Sequence, residues 1–276
     1  MSEITAASVM GLRKKTGLPM MDCKSALAEA GGDENLAMDL LRKRGLQLLG
    51  KRSDRETAFG RFGLHIGLDK PAGAMVELLC ESAPVTSNEE FVQLANDLAQ
   101  AFAQNPAADD AEKLLDEKSP SAAGKTLREV KDDLFNRIRE VFNIGRMARI
   151  DGGTGGYSHN SGTVAGVLLG ISGGSYTVAK DVAMHVAAMR PSALSVAELS
   201  AEDVAKEREI LRAAALQEGK PESIVDKMVD GRLRNYYAER VLLEQPFVKD
   251  DKLSVGKYAE SQGMKVTKFV HWELGR

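Results

Sequence analysis

A strand pattern followed by a loop and a helix pattern occurs twice in the middle of this chain. The first copy runs from the apolar segment 74–80 to a helix pattern over 89–104, and the second from 163–171 to a helix pattern over 178–189. Both helix patterns contain a branched apolar residue followed by alanine, and this pair recurs four residues later. The pairs are Leu94-Ala95 and Leu98-Ala99 in the first copy, and Val182-Ala183 and Val186-Ala187 in the second. Repeated units of strand and helix predict an α+β core made of two similar halves.

The segment 4–45 predicts a separate module of three short helices that docks on another protein. Pro19 suits the start of the second helix, Asp33 is a good cap for the third, and Gly45 is expected to end it. The charged stretch 51–56 has no apolar period and is interpreted as a linker. The expected apolar face of the third helix is Leu36, Leu40 and Leu41.

Residues 202–243 predict two long helices, because Ala, Glu, Arg and Leu dominate their composition. Gly219-Lys220 interrupts the pattern, and Pro221 suits the start of the second helix. We expect the two helices to pack as a hairpin. The expected contacts are Val204, Leu211 and Ala214 on one arm and Ile224, Met228 and Val229 on the other.

The composition argues against several classes of function. A net charge of −3 gives no basic surplus for binding nucleic acid or an anionic membrane. No apolar stretch approaches the ~20 residues that a membrane span needs. Cys23 and Cys80 lie far apart, which suits a reducing compartment rather than a disulfide framework. We therefore expect a cytoplasmic protein.

Three motifs that could carry chemistry have simpler interpretations. Gly124-Lys125-Thr126 resembles the end of a phosphate loop but lacks the glycine five residues earlier, so it predicts a turn and a helix start. The glycine-rich segment 151–156 predicts a flexible loop between strands. Cys80 and His65, a conceivable hydrolase pair, both lie inside strand patterns. The sequence favours a binding protein over an enzyme.

The histidines do not indicate a metal or cofactor site. None has a His or Cys partner at zinc-ligand spacing, and we expect no cofactor. His185 falls in a predicted helix and is expected to be structural. His159 lies in a predicted loop beside Tyr157, which makes it the histidine best placed for a surface role.

Segments along nearly the whole chain closely resemble the bacterial elongation factor Ts family. The longest runs from Thr16-Gly-Leu-Pro-Met-Met-Asp-Cys to Ala30, and Tyr157-Ser158-His159 resembles the second family signature. The other similar segments are Gly32-Asp33, 41–45, 166–168, 183–188 with Pro191, 218–221, Gly231-Arg232 and 245–248.

The resemblance implies a guanine-nucleotide exchange factor for the GTPase elongation factor Tu, with no catalytic chemistry or nucleotide site of its own. It implies an N-terminal module like a ubiquitin-associated domain, a duplicated α+β core of two subdomains, and an inserted coiled-coil hairpin that could mediate dimers. The corresponding boundaries are 1–50 for the module, 56–145 for the N-terminal subdomain, 146–200 with 246–276 for the C-terminal subdomain, and 201–245 for the hairpin.

The resemblance also implies contact residues for elongation factor Tu. These are Arg13, Met20, Met21 and Lys24 in the module, and Ile138, Arg139 and His159 in the core. An Asp-Phe pair of the family intrudes near the magnesium site of the GTPase, but the matching segment here reads Ala83, Pro84, Val85 and Thr86. Arg139 stands where the family often has glycine. An alternative function is therefore a stabiliser or chaperone of elongation factor Tu with weak exchange activity.

Overall fold

The computed structural model describes residues 4–161, 163–219 and 221–275 and divides into two compact units. The first unit contains residues up to 65 and 75–147, and the second contains 66–74 and 148–274. Lys220, which was predicted to lie between the hairpin helices, falls outside the described residues.

Three helices form the N-terminal module: α1 (Ala6–Thr16), α2 (Met20–Glu29) and α3 (Glu34–Gly50). Gly17 ends α1 with a positive φ of 69°, and the Asp33 side chain accepts a hydrogen bond from Leu36 N–H at the start of α3. A self-contained apolar core joins the helices; its buried members are Val9, Leu12, Leu18, Cys23, Ala26, Leu27, Ala30, Ala37 and Leu41. The predicted three-helix arrangement is confirmed.

Two details of α3 were predicted wrongly. The helix continues past Gly45 to Gly50, and Leu36 is exposed, so the buried face is formed by Ala37, Leu41 and Gly45. Gly45 packs against Asn136, and a Cβ at this glycine would overlap the Asn136 side chain. The glycine therefore permits close packing rather than ending the helix.

The next elements form a sheet and three helices, which belong to the first unit except for residues 72–74 and 148–151 of the sheet. The elements are β1 (Phe59–His65), β2 (Ala72–Cys80), the short 3-10 turn Ala83–Ser87, α4 (Glu89–Gln104), α5 (Ala111–Asp116), α6 (Leu127–Ile138) and β3 (Asn143–Asp151). The strands are ordered β1-β2-β3. At Gly63 of β1 a Cβ would meet the backbone of Ala95 in α4, so the glycine lets the helix lie close to the strand.

The second unit has an antiparallel sheet covered by a helix. The elements are β4 (Thr154–Ser161), β5 (Thr163–Gly173), α7 (Tyr176–Met189), a short 3-10 turn (Val196–Glu198), α8 (Ala201–Gln217), α9 (Glu222–Arg240), β6 (Pro246–Phe247), β7 (Asp250–Ser254), α10 (Val255–Ser261) and β8 (Met264–Glu273). The strands are ordered β4-β5-β8, and β6 pairs with β7. Alternate residues Val167, Leu169 and Ile171 of β5 face the apolar side of α7.

The glycine-rich segment 151–156 is not a flexible loop. Thr154 starts β4, and Gly155 pairs with Leu169 of β5. A Cβ at Gly155 would crowd the Cβ of Ala179, so the small residue allows α7 to approach the sheet. His159 accordingly lies in a strand and not in the predicted loop. Polar residues hid this strand from a pattern based on apolar alternation.

Helices α8 and α9 form the predicted hairpin, and two of the six predicted contacts, Leu211 and Val229, are confirmed. The buried residues are Ala215, Val225, Val229 and Leu233, with Leu211 and Tyr237 packed against them. Ala214 and Met228 are only partly buried, and Ile224 is exposed. At both positions the next residue is the buried one: Ala215 instead of Ala214, and Val225 instead of Ile224. Ion pairs such as Arg208 to Asp230, at 2.9 Å, flank the contact between the two helices, which we call the seam. These charged residues did not indicate from sequence which apolar residues lie in the seam.

The predicted α+β class is confirmed, since the structure combines helices with sheets, and the pairings of β5 with β4 and β8 are antiparallel. Among the described helices, none combines the length and the apolar character that a membrane crossing requires.

Candidate functional site

The end of α1 and the start of α2 present four predicted contact residues to solvent. Met21 is 69% exposed and Met20 38% exposed. Arg13 and Lys24 are also exposed, and neither forms an ion pair within the described residues. Met10, 61% exposed, lines the same shallow cavity as Arg13. Large exposed methionines beside free cations are typical of a protein-binding surface.

The end of α6 lies in contact with this module. Ile138 is the last helical residue and is half-buried. Arg139 follows with a positive φ of 66°, and its guanidinium donates to the Asp22 carboxylate of α2 at 2.7 Å. The carbonyl of Arg139 accepts a hydrogen bond from the Arg52 guanidinium at 2.6 Å. Arg139 was predicted to contact another protein. In the structure both its guanidinium and its carbonyl form hydrogen bonds within the chain.

The 3-10 turn Ala83–Ser87 is anchored at both ends. Ser82 donates from its N–H and its hydroxyl to the Glu140 carboxylate, at 3.0 and 2.6 Å. At the other end the Arg61 guanidinium donates to the Thr86 carbonyl at 2.8 Å. Burial of its charged group lowers the pKa of Arg61. A fixed backbone holds the turn in one conformation.

Within the turn, the four residues of the predicted segment have different environments. Ala83 and Pro84 are exposed, whereas Val85 is buried. The Thr86 hydroxyl donates to the Ala83 carbonyl at 2.7 Å. Only Ala83 and Pro84 are therefore free to touch another molecule, while Val85 and Thr86 hold the turn.

Hydrogen bonds connect three segments of the first unit that carry predicted residues. Asp22 adjoins Met21 and binds Arg139, and Glu140, the next residue, binds Ser82 beside Ala83. The contacts span 117 and 58 positions of sequence. Sequence reasoning missed Asp22, Ser82 and Glu140, because no local period signals a contact between residues so far apart.

His159 lies on the second unit, in a cavity of about 370 Å³ between the sheet and the C-terminal half of α7. Its Nδ1 is 2.9 Å from the Tyr157 hydroxyl, and the two rings are 6.0 Å apart. Met184 and Ala188 supply apolar walls from α7. The cavity is open and suits a side chain of another protein.

An ion pair between the half-exposed Arg190 and the buried Glu273 closes one wall of this cavity. Arg190 ends α7 with a positive φ of 50°, and its Nε contacts the Glu273 carboxylate of β8. The Glu273 side chain is 4% exposed. A charge this deeply buried requires a partner, so the pair holds the end of α7 against β8.

The motifs weighed as chemical sites have structural roles. Thr126 caps α6 in a capping box with Glu129, which confirms the predicted turn and helix start. Burial and the nearby Glu140 carboxylate raise the pKa of the Cys80 thiol to about 12, so it stays protonated and is a poor nucleophile. In the described parts of the chain, no group of His, Cys, Asp and Glu side chains could hold a metal ion.

The fold and these surfaces define an α+β protein that carries an N-terminal helical module and presents exposed side chains on an anchored backbone. A family model described as "Elongation factor TS" matches residues 84–276. The chain is 42% identical over 275 residues to elongation factor Ts of Methylococcus capsulatus, covering 99% of this chain and 92% of the relative. It is 40% identical over 281 residues to elongation factor Ts of Kineococcus radiotolerans, covering 100% of both. The chain belongs to the elongation factor Ts family.

Proposed function

We propose that this chain binds elongation factor Tu in its GDP-bound state and promotes release of GDP, so that GTP can bind. The family supports this function, and one structural observation carries it to particular residues. Met21, Ile138 and the exposed pair Ala83-Pro84 are connected through Asp22, Arg139 and Glu140 on one unit. A surface whose segments are tied together by such contacts can bind one conformation of a partner better than another.

The division of the chain follows from the same proposal. Residues 1–50 act as a docking module of the ubiquitin-associated type, and 201–245 form a coiled-coil hairpin. The core subdomains, 56–145 and 146–200 with 246–276, contact the nucleotide domain and a more distant domain of the partner. The self-contained core of the module supports its role as a docking unit.

Exchange follows from thermodynamic coupling and needs no contact with the nucleotide. If the chain binds the opened, nucleotide-free GTPase more tightly than the GDP-bound form, it must weaken GDP binding by the same factor. Each ~1.4 kcal/mol of that preference weakens nucleotide affinity tenfold. The chain therefore acts without chemistry of its own.

The module's surface supports a partner with matching chemistry. Exposed Met20 and Met21 fit an apolar groove, and the free cations Arg13 and Lys24 fit acidic groups beside it. We infer that the contacted region of the GTPase is apolar at its centre and acidic at its edge.

The turn Ala83–Ser87 occupies the family position of the Asp-Phe pair but carries neither a carboxylate nor a ring. Ala83 cannot accept a hydrogen bond through its side chain, and Pro84 is smaller than phenylalanine. We propose that exchange relies on the Ile138 and His159 contacts and on separating domains of the GTPase, rather than on displacing magnesium with this turn.

Stopped-flow release of fluorescent GDP from the elongation factor Tu of the same organism tests both statements. We expect the wild-type chain to accelerate release, and His159→Ala to reduce that acceleration by about 5- to 30-fold, as for an interface contact of 1–2 kcal/mol. Ser158→Ala is the matched control, because alternate residues of a strand face opposite sides. An unchanged His159→Ala together with an inactive Pro84→Gly would overturn the proposed mechanism.

The alternative, a stabiliser of elongation factor Tu with weak exchange activity, is favoured by the same missing pair at Ala83 and Pro84. The experiment separates the two functions. Tight binding without faster GDP release would identify the stabiliser, and absence of binding would exclude both.

A further inference from the structure

Two non-glycine residues among the described part of the chain have a positive φ, and both are arginines that end helices. Arg139 ends α6 with φ 66°, and Arg190 ends α7 with φ 50°. This conformation disfavours residues with a Cβ, and glycine is the usual choice there. In each case the guanidinium reaches a carboxylate of another element, Asp22 or Glu273. At both positions the positive φ would favour glycine, but glycine could not form the ion pair that the arginine side chain makes.

Arg139 makes contacts through both its side chain and its backbone. The Arg139 side chain is 33% exposed, and its guanidinium donates to Asp22 in the first turn of α2. The carbonyl accepts from Arg52, just after α3, and the N–H donates to the Phe135 carbonyl as the cap of α6. One residue therefore connects the module, the segment that follows it, and the end of α6.

The next residue extends these contacts to the exposed turn. Glu140 accepts both hydrogen bonds of Ser82, which begins the turn Ala83–Ser87. A displacement of the backbone at Arg139 would therefore shift the contacts with the module through Asp22 and Arg52, and the contact with the turn through Glu140.

We propose that Arg139 is a positioning residue that fixes the orientation of the N-terminal module relative to α6 and the turn Ala83–Ser87. Its consequence for exchange rests on the proposed function, whereas its effect on orientation does not. A surface that is held in its binding geometry loses less conformational freedom when the partner binds. If Arg139 were absent, the binding-competent orientation would be only fractionally populated, and the apparent affinity would fall by that fraction.

Removing this contact should not unfold the module. Its apolar core is self-contained, and α3 keeps its own contacts with α6 through Gly45 packed on Asn136 and through Arg42 to Glu129 at 3.0 Å. Glycine at position 139 would also suit the positive φ. The effect on orientation can therefore be measured in a folded protein.

Backbone ¹⁵N relaxation of the full-length chain measures that orientation without any partner. In the wild type, amides of α2 and of α6 should report one rotational correlation time. In Arg139→Gly and in Asp22→Asn the module stays docked through α3, so we expect lower order parameters for the amides of α2 than for those of α6, and thermal stability close to that of the wild type. The double variant should match the single variants, because both remove the same contact.

Arg44→Ala is the control, since Arg44 pairs with Glu29 inside the module and does not reach α6. Unchanged order parameters of α2 in Arg139→Gly, an equal change in Arg44→Ala, or additive effects in the double variant would overturn the proposal. In the GDP-release assay, affinity for elongation factor Tu should fall about 3- to 10-fold in Arg139→Gly, as for loss of an ion pair of about 1 kcal/mol. If the wild type failed to bind the GTPase, the proposed function would fall while the relaxation result would still stand.

Discussion

Gly45 illustrates how one residue type serves two different purposes. A glycine after a run of apolar residues and before a polar stretch is typical of a helix end, and the sequence at 41–45 fits that pattern. In the structure α3 continues, and Gly45 is buried where the helix contacts Asn136 of α6. Packing between distant segments, rather than the local backbone, explains this glycine.

We expect Gly45→Ala to lower the free energy of unfolding of the first unit by about 1–3 kcal/mol, the usual cost of overpacking. Gly11→Ala is the matched control in the same module. It lies within α1 with open space at its Cβ position, so alanine should raise stability by about 0.5–1 kcal/mol.

Urea unfolding followed by far-ultraviolet circular dichroism measures both changes. Asn136→Ala should partly rescue Gly45→Ala, because it removes the side chain that the new methyl group meets. Equal effects of Gly11→Ala and Gly45→Ala would show that helix propensity, and not packing, governs both positions.

At the scale of elements, the hairpin shows that a helix can be predicted correctly while its face is predicted wrongly. Helix α8 has many alanines, and both helices have charged residues around their circumference, so the apolar stripe is narrow. Neighbouring residues Ile224 and Val225 are both branched and apolar, yet only Val225 is buried against α8. The partner helix decides which of them faces inward.

This pair of neighbours provides a direct test of the seam. We expect Val225→Lys to open the hairpin, because a lysine ammonium in the seam would lose its hydration without gaining a partner. Ile224→Lys should leave the hairpin intact, since Ile224 is already 42% exposed. Hydrogen exchange measured by mass spectrometry should show lost protection in α8 and α9 for Val225→Lys alone, with α7 unchanged. Equal loss in both variants would place the seam elsewhere.

At the scale of the whole molecule, the second unit contains two histidines whose pKa is lowered by burial, one of them fully buried. His185 of α7 is fully buried; its Nδ1 accepts from Val248 N–H at 3.2 Å, so Nε2 carries the proton and donates to Gln245 at 2.9 Å. Burial lowers the pKa of His185, and that of His271, where the Glu273 carboxylate opposes the effect of burial. Both histidines belong to the second unit.

These pKa shifts predict that acid destabilises the second unit. A histidine whose pKa is lowered by folding binds a proton more readily when unfolded, so stability is retained above the unfolded pKa of about 6.5 and lost as pH falls below it. We expect the free energy of unfolding to fall between pH 7 and pH 5.5, by at most about 1.4 kcal/mol per pH unit for each histidine.

Trp272, the single tryptophan of the chain, lies in β8 and reports on the second unit by fluorescence during urea unfolding. His185→Gln should make the pH dependence shallower, because the titrating imidazole is removed. A pH dependence of Trp272-detected unfolding that is unchanged in His185→Gln would contradict the assignment to this residue.

Much of the local structure could be predicted from the sequence, because caps and apolar periods act within a few residues. The helix pattern at 89–104 coincides with α4, and Asp33 and Thr126 cap the helices predicted to follow them. Strand β4 could not be predicted, since its residues are polar or glycine and it exists through pairing with β5.

The candidate site, too, was predicted from the sequence only in part. The module of residues 4–45, the class of fold and the family could be recognised from the order of the residues alone, because these depend on local signals and long similar segments. Only the tertiary structure decided that Arg139 binds Asp22, that Val85 is buried while Pro84 is exposed, and that His159 lies in a strand beside Tyr157. Contacts between segments far apart in sequence depend on how whole elements pack, and no local period records them.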